Sequence, residues 1–268
     1  MVGAQNEEDA AKFRELGCRP EAVHVVGNLK FDAAGNAGSS QMDVPALLAQ
    51  LGVPPDAQLL VGGSTHRGEE RILAQHFMRL RQRFPKLFLV IVPRHFERAH
   101  HAAEDLEACG VKFEYRDEIK PDTKFKPGSV DCLLVNTTGE LRYFYEHATV
   151  VFVGKSITAK GGQNPIEPAA LGKAVVVGPN MQNFADVVRI LLKGDGLVQV
   201  RDAAELGKAF GDLLAQTDRR DQLGRNAKKI VQENQGGVAR TVDLIVENMK
   251  HLGTYMPLDD PPESAHPQ

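Results

Sequence analysis

Val150-Val151-Phe152-Val153-Gly154-Lys155-Ser156, followed by Gly161-Gly162-Gln163-Asn164-Pro165-Ile166-Glu167-Pro168-Ala169-Ala170-Leu171-Gly172, sets an apolar strand, a glycine loop and a helix start in succession. Four consecutive apolar residues suit a strand buried on both faces. Gly161 and Gly162 let backbone approach a ligand closely, and Pro165 suits the first position of a helix, where a missing N–H costs little. Such a helix start presents unpaired N–H groups and the positive end of the helix dipole, a setting for an anionic phosphate. Glu167, one turn inside the expected helix, is placed to accept hydrogen bonds from a ribose diol, as acidic residues do in dinucleotide folds. A lone glycine pair would read as an ordinary strand-to-helix turn whose Glu offsets the dipole. The length and content of this run favour a nucleotide-linked ligand instead.

The same alternation extends on both sides. Strands are expected at 59–62, 87–92, 111–115, 131–135, 174–177 and 197–200, separated by helices at 69–84, 97–108, 140–147 and 184–192. Near-continuous Val, Ile and Leu strands between helices predict a doubly wound α/β domain with a parallel, Rossmann-like sheet covered on both faces. Helices at 203–216, 219–233 and 238–251 complete it, giving a domain over 57–252. Ahead of it, 1–32 reads as a helix and a strand without an obvious sheet. The Gly-, Ser-, Gln- and Pro-rich stretch 33–56, with one short helical pattern at 45–51, suits an interdomain linker, and 253–268 reads as a disordered tail.

At 268 residues and 42% apolar, the chain can bury a substantial core. A net charge of −3 gives no field for non-specific nucleic-acid binding, so nucleic acid is not an expected partner. No apolar run approaches the roughly 20 residues of a membrane-spanning helix. Glu7 and Glu8 follow Met1 too soon for a secretory signal. Cys18, Cys109 and Cys132 lack metal-ligand spacing and are odd in number, which favours free thiols in a reducing cytosol over a disulfide or zinc site.

Open parallel sheets bind ligands beyond the carboxyl ends of their strands, and four such loops carry unusual residues. Gly62-Gly63-Ser64-Thr65-His66 offers backbone and hydroxyl donors to a phosphate, with helix capping by Ser64 or Thr65 ahead of Glu69 and Glu70 an equal alternative. His66 taken alone reads as structural. Pro93-Arg94-His95 stands directly on a strand end, and Arg94 is the strongest candidate, because its planar fork of donors matches phosphate or carboxylate. Its plainer alternative is an ion pair with Glu97, while Arg98 reads as a solvated helix residue. Thr138 reads by default as a helix cap in the turn Asn136 to Leu141, while in the turn Gly178 to Phe184 the amide side chains could reach a sugar or base, with Asn183 as the cap of the next helix an equally good explanation.

Taken in order, Ala4-Gln5 with Glu7 to Ala10, Gly27 to Asp32, Gly63 to His66, Pro93-Arg94-His95, Gly139-Glu140-Leu141 and Gly162 to Leu171 resemble the carboxyl-terminal part of the 3-deoxy-D-manno-octulosonic acid (Kdo) transferases of lipopolysaccharide synthesis, two-domain GT-B glycosyltransferases. The resemblance covers most of the chain. It implies a CMP-Kdo donor, inverting transfer to a lipid A precursor, and no metal or other cofactor at that step. The donor fits the loops, since CMP-Kdo carries a phosphate and a carboxylate. Backbone at Ser64 to Thr65 and Gly162, Gln163 and Asn164 would hold the phosphate, Glu167 the ribose, and Arg94 the phosphate or the Kdo carboxylate. His66 or His95 would add a donor as negative charge grows on the leaving nucleotide.

The family's amino-terminal domain, which carries the membrane-associating segment, the lipid-acceptor site and the acidic general base, is expected to be absent here but for its end at 1–32. The resemblance therefore implies a donor-binding part that is inactive in transfer by itself. The full-length enzyme would sit at the cytoplasmic face of the bacterial inner membrane. Three positions depart from the family pattern: Lys155 stands where glycine is usual, Gln163 where histidine is usual and Asn136 where aspartate is common. Two other readings use the same residues: a GT-B transferase or epimerase acting on a UDP-sugar, and a non-catalytic nucleotide-sugar binding module.

Overall fold

The computed structural model describes residues 1–35 and 42–251. By its contacts the chain divides into two compact units, one taking in Met1–Ala33 and the chain from Asn234 onward, the other Ala34–Glu233. The expected tail at 253–268 lies outside the described residues.

In the first unit, β1 (Val2–Ala4) and α1 (Glu7–Glu15) lead to β2 (Val23–Val25), and the two strands pair in parallel. The amino-terminal segment thus has a small sheet, which its short, weakly apolar first strand did not announce. Asn6 caps α1, its side chain accepting the Asp9 N–H at 2.8 Å. The last helix of the chain, Gly237–His251, belongs to this unit. Asp32 caps its start, accepting N–H groups of Gly236 at 2.5 Å and Val238 at 2.7 Å, while Arg240 Nε donates to the Val26 carbonyl at 2.8 Å. The expected 57–252 domain therefore ends earlier.

The second unit opens with α2 (Val44–Gln50), inside the stretch expected to be a linker. Asp43 caps it, and Val44, Leu47, Leu48, Leu51 and Val53 are buried, so this stretch is part of the domain's packing. There follow β3 (Leu59–Thr65), α3 (Glu69–Arg81), β4 (Phe88–Pro93), α4 (Ala99–Ala108), β5 (Phe113–Tyr115) and β6 (Cys132–Leu134). Next come α5 (Leu141–His147), β7 (Val150–Val153), α6 (Ile166–Ala170), β8 (Ala174–Val177) and α7 (Ala185–Lys193). Last are β9 (Val198–Gln199), α8 (Ala203–Ala215) and α9 (Thr217–Asn234).

The seven strands of this unit form one parallel sheet in the order β5-β6-β4-β3-β7-β8-β9. Both faces are dry, as unbroken apolar strands require. Leu60, Leu89, Ile91, Val150, Phe152 and Val176 pack with residues of α3, α4 and α8 in one core. Their neighbours Val61, Val90, Leu133, Val151 and Val175 point the other way and are equally buried. Phe152 meets Phe210 edge to face with ring centroids 6.5 Å apart, and burying each ring contributes about 1.5–3 kcal/mol. From β3 the chain runs to β4, out to the edge at β5 and back to β6 between them, then crosses to β7 on the other side of β3. The strand order reverses there, which makes the carboxyl ends of β3 and β7 the switch point of the sheet, the place at which doubly wound folds take ligands.

Candidate functional site

β3 ends irregularly. Its register against β4 slips between Gly63 and Thr65, and Ser64 adopts φ +51°, so Thr65 rather than Ser64 pairs with Pro93. Bulges of this kind bend a strand end and re-aim its side chains. The two glycines before it serve packing: a Cβ on Gly62 would lie 2.6 Å from Leu73 Cδ1, and one on Gly63 would lie 2.0 Å from the Tyr145 hydroxyl. α3 and α5 therefore press directly on β3. Gly161 and Gly162, with φ +115° and +73°, are likewise approached by protein, since added Cβ atoms would meet Asn183 Nδ2 at 2.9 Å and Met181 Sδ at 2.4 Å. Their conformational freedom serves a turn rather than a ligand's approach.

Glu69 lies beneath the loops after β3 and β7 and bonds both of them. Only 1% exposed, it accepts N–H groups from His66 at 2.8 Å and Lys155 at 2.7 Å through Oε2, and from Ser156 at 2.8 Å and Ile157 at 3.0 Å through Oε1. Successive amides facing one anion form the kind of nest that binds phosphate elsewhere. Here the protein fills the nest itself. Glu70, wholly buried, takes the Thr65 hydroxyl at 2.9 Å and Arg98 NH1 at 3.2 Å on Oε1. Burial pushes the Glu70 carboxyl above its ordinary range, opposed by its own backbone N–H, the Arg98 charge and the Thr65 hydroxyl. Arg98 also donates to the Thr65 carbonyl at 3.3 Å, so it is a strut beneath the loops and not a solvated residue.

These bonds correct several expectations. Ser64 and Thr65 do not cap α3, whose cap position is Gly68 without a side-chain bond. Thr138 and Asn183 do not cap α5 and α7, which start without side-chain caps; Thr137 instead bonds Glu140 at 2.5 Å. The backbone N–H groups of Gly162 and Gln163 already reach the carbonyls of Lys155 at 2.9 Å and Gly154 at 3.2 Å, so they are not placed to hold a phosphate. Asn164 turns its Oδ1 onto the Ile166 N–H at 3.0 Å. Pro165 precedes α6 rather than opening it, and Glu167 stands in the first turn instead of one turn inside. Arg94 makes no ion pair with Glu97 among the contacts of the described residues.

The candidates nevertheless converge on one edge. The Arg94 N–H bonds the Thr65 carbonyl at 3.1 Å and the Gly154 N–H bonds the Gly63 carbonyl at 2.9 Å, which draws the loops after β3, β4 and β7 together. Arg94 and His95 are exposed, Ser64, His66, Gln163 and Glu167 half-buried. Burial, then the charge of Arg98, holds His66 below the usual histidine range, so near neutrality its ring is uncharged. Burial raises the Glu167 carboxyl, with Arg142 opposing. Beneath Glu167 the buried Tyr145 hydroxyl is pushed far up by burial and by that carboxylate. Glu69, Glu70 and Arg98 were missed as functional residues. The signal was present, because two adjacent carboxylates directly after a strand-end loop cannot both be solvent caps once α3 packs its first turn on the sheet.

A family model described as 3-deoxy-D-manno-octulosonic-acid transferase (kdotransferase) matches residues 1–33. The 3-deoxy-D-manno-octulosonic acid transferase of Haemophilus influenzae is 30% identical over 247 residues, 91% of this chain and 56% of that protein. The enzyme of the same name from Bordetella pertussis is 32% identical over 248 residues, again 91% of this chain and 55% of that protein. The chain thus spans about half the length of the curated relatives it matches. Among solved structures, the C-terminal CMP-Kdo binding domain of WaaA from Acinetobacter baumannii superimposes with TM-score 0.63 at 25% identity, over 76% of this chain and 98% of that one. A putative UDP-N-acetylglucosamine 2-epimerase from Listeria monocytogenes shares the fold, with TM-score 0.60 at 16% identity over 96% of this chain and 61% of that one.

Proposed function

This chain is a relative of the Kdo transferases along nine tenths of its length, and on that premise we propose that its 34–233 unit binds the CMP-Kdo donor of such an enzyme. The observation that carries the reading is the match to a CMP-Kdo binding domain across 98% of that domain's length. The switch point of the strand order between β3 and β7 supports it, being the position at which doubly wound sheets take nucleotides.

In this proposal Arg94, exposed at the strand end, contacts the donor phosphate or the Kdo carboxylate, and His95 stands beside it. His66 presents an uncharged ring N–H. Glu167 accepts from the ribose; burial has already removed part of the hydration of its carboxyl, so taking a ribose hydroxyl costs it little further desolvation. Gln163 contributes its amide side chain and Ser64 its hydroxyl, in place of the backbone N–H groups that are already used. Breaking the glycosidic bond places growing negative charge on the CMP leaving group. A fixed guanidinium aimed there lowers the barrier more than it tightens ground-state binding. Inverting transfer to a lipid A precursor, without a metal, would draw its general base and acceptor site from outside the described residues. No helix among those residues is long and apolar enough to cross a membrane.

Calorimetric titration with CMP, CMP-Kdo and UDP-N-acetylglucosamine tests the reading. CMP and CMP-Kdo bind selectively, and Arg94→Ala weakens them about 10- to 100-fold, the worth of one or two charge-assisted hydrogen bonds, with the unfolding transition unchanged because Arg94 is exposed. Preference for the uridine ligand overturns the donor assignment.

A further inference from the structure

Glu69 is a resident anion where a ligand's phosphate would be sought. Its two oxygens take four backbone N–H groups, one from the loop after β3 and three consecutive ones from the loop after β7. The loop is seated on it without slack, since a Cβ on Gly154 would lie 2.8 Å from Glu69 Oε2. Lys155, at the first of the three amides, is held at φ +54°, a conformation disfavoured by about 1–2 kcal/mol for a residue with a side chain. Such a residue persists where its surroundings fix it. The rest of this loop is pinned as well: the Thr158 hydroxyl bonds the Arg67 carbonyl at 2.8 Å, and Asn180 Nδ2 bonds the Ile157 carbonyl at 3.1 Å.

We infer that Glu69 is a positioning residue of the donor site: its carboxylate closes the 155–157 amide nest against ligand phosphate and locks the loops after β3 and β7 together into one fixed edge against which the nucleotide lies. Two consequences separate this from a phosphate loop of ordinary kind. The donor phosphate meets side chains, Arg94 foremost, and not the 155–157 amides. The 155–157 loop is also fixed before any ligand arrives, so binding does not bear the cost of ordering it. Neighbouring Glu70 fixes the third loop in the same way, through Arg98.

The inference rests on the donor-site reading, and the experiment separates the two. In Glu69→Gln, two of the four N–H groups face an amide NH2 instead of an acceptor. Hydrogen exchange at Lys155, Ser156 and Ile157 then accelerates at least about tenfold and CMP affinity falls about tenfold, the loss expected for unpairing buried donors. In Glu69→Ala, added formate restores both saturably, which a merely loosened fold would not do. Where Glu69→Gln fails to fold, Glu69→Asp, one methylene shorter, gives the same two readouts. Unchanged exchange at 155–157, or faster exchange with CMP affinity within twofold of the unmodified chain, overturns the inference. If the unmodified chain does not bind CMP, the donor reading fails instead. Exchange alone then decides, and protection at 155–157 that survives Glu69→Gln overturns the filled nest.

Discussion

Replacing Arg98 by alanine strips the wholly buried Glu70 carboxylate of its cation. Glu70 Oε1 would keep the Thr65 hydroxyl at 2.9 Å and lose Arg98 at 3.2 Å, while Oε2 has no partner to compensate. Leaving a buried carboxylate without its cation costs about 3–5 kcal/mol, and because Arg98 is 20% exposed and its bond is long, the lower end applies, about 3 kcal/mol. For a unit of this size that is a fall in Tm of roughly 6 to 12 °C. The pH dependence has a definite sign. Burial places the folded Glu70 pKa above its unfolded value, so the favourable contribution of the protonated acid is complete below the unfolded value and lost as pH rises through the folded one. Removing Arg98 raises the folded pKa further, so the penalty is largest near neutrality and shrinks toward about pH 5. Denaturant unfolding at the two pH values measures it. A loss under about 1 kcal/mol at neutral pH, or one that grows on acidification, refutes the strut.

Gly154→Ala drives a Cβ to 2.4 Å from the Ser64 carbonyl oxygen and 2.5 Å from Thr65 Cα, both backbone, and should cost at least about 3 kcal/mol. Gly110→Ala, with φ +72° but nothing within 4 Å, should cost only about 1 kcal/mol, and equal losses in denaturant unfolding contradict the close approach. Lys155→Gly relieves the positive φ and should leave stability unchanged or up to about 1 kcal/mol higher, whereas Lys155→Val should lose about 2 kcal/mol. Melting curves for which the two variants coincide would remove the strain assigned to this position.

The framework was legible because its signals are local. β7 and β8 appear at the expected residues, since unbroken apolar runs between turn residues have few other fates in a chain of alternating helices. The pairing of β1 with β2 was not legible, because three residues carry no periodicity and the partner is remote in sequence. At the site, Arg94 and Glu167 lie on the expected edge, as the strand-end rule dictates. What the glycines do was misread for a physical reason: glycine permits close approach, but sequence does not say whether a ligand, Tyr145 or Met181 is what approaches. The same holds for the amides of Lys155, Ser156 and Ile157. Their acceptor is Glu69, nearly ninety residues earlier, and only the pairing of β3 with β7 brings the two together.

Chemical-shift mapping of the chain with CMP tests the central claim most directly. The account predicts perturbations concentrated at Ser64 to His66, Arg94-His95 and Gln163 to Glu167, with Ser156 and Ile157 still protected from exchange by Glu69. Perturbations centred away from the carboxyl edge of β3 and β7, or saturable binding that leaves all three of these loops unshifted, would contradict it.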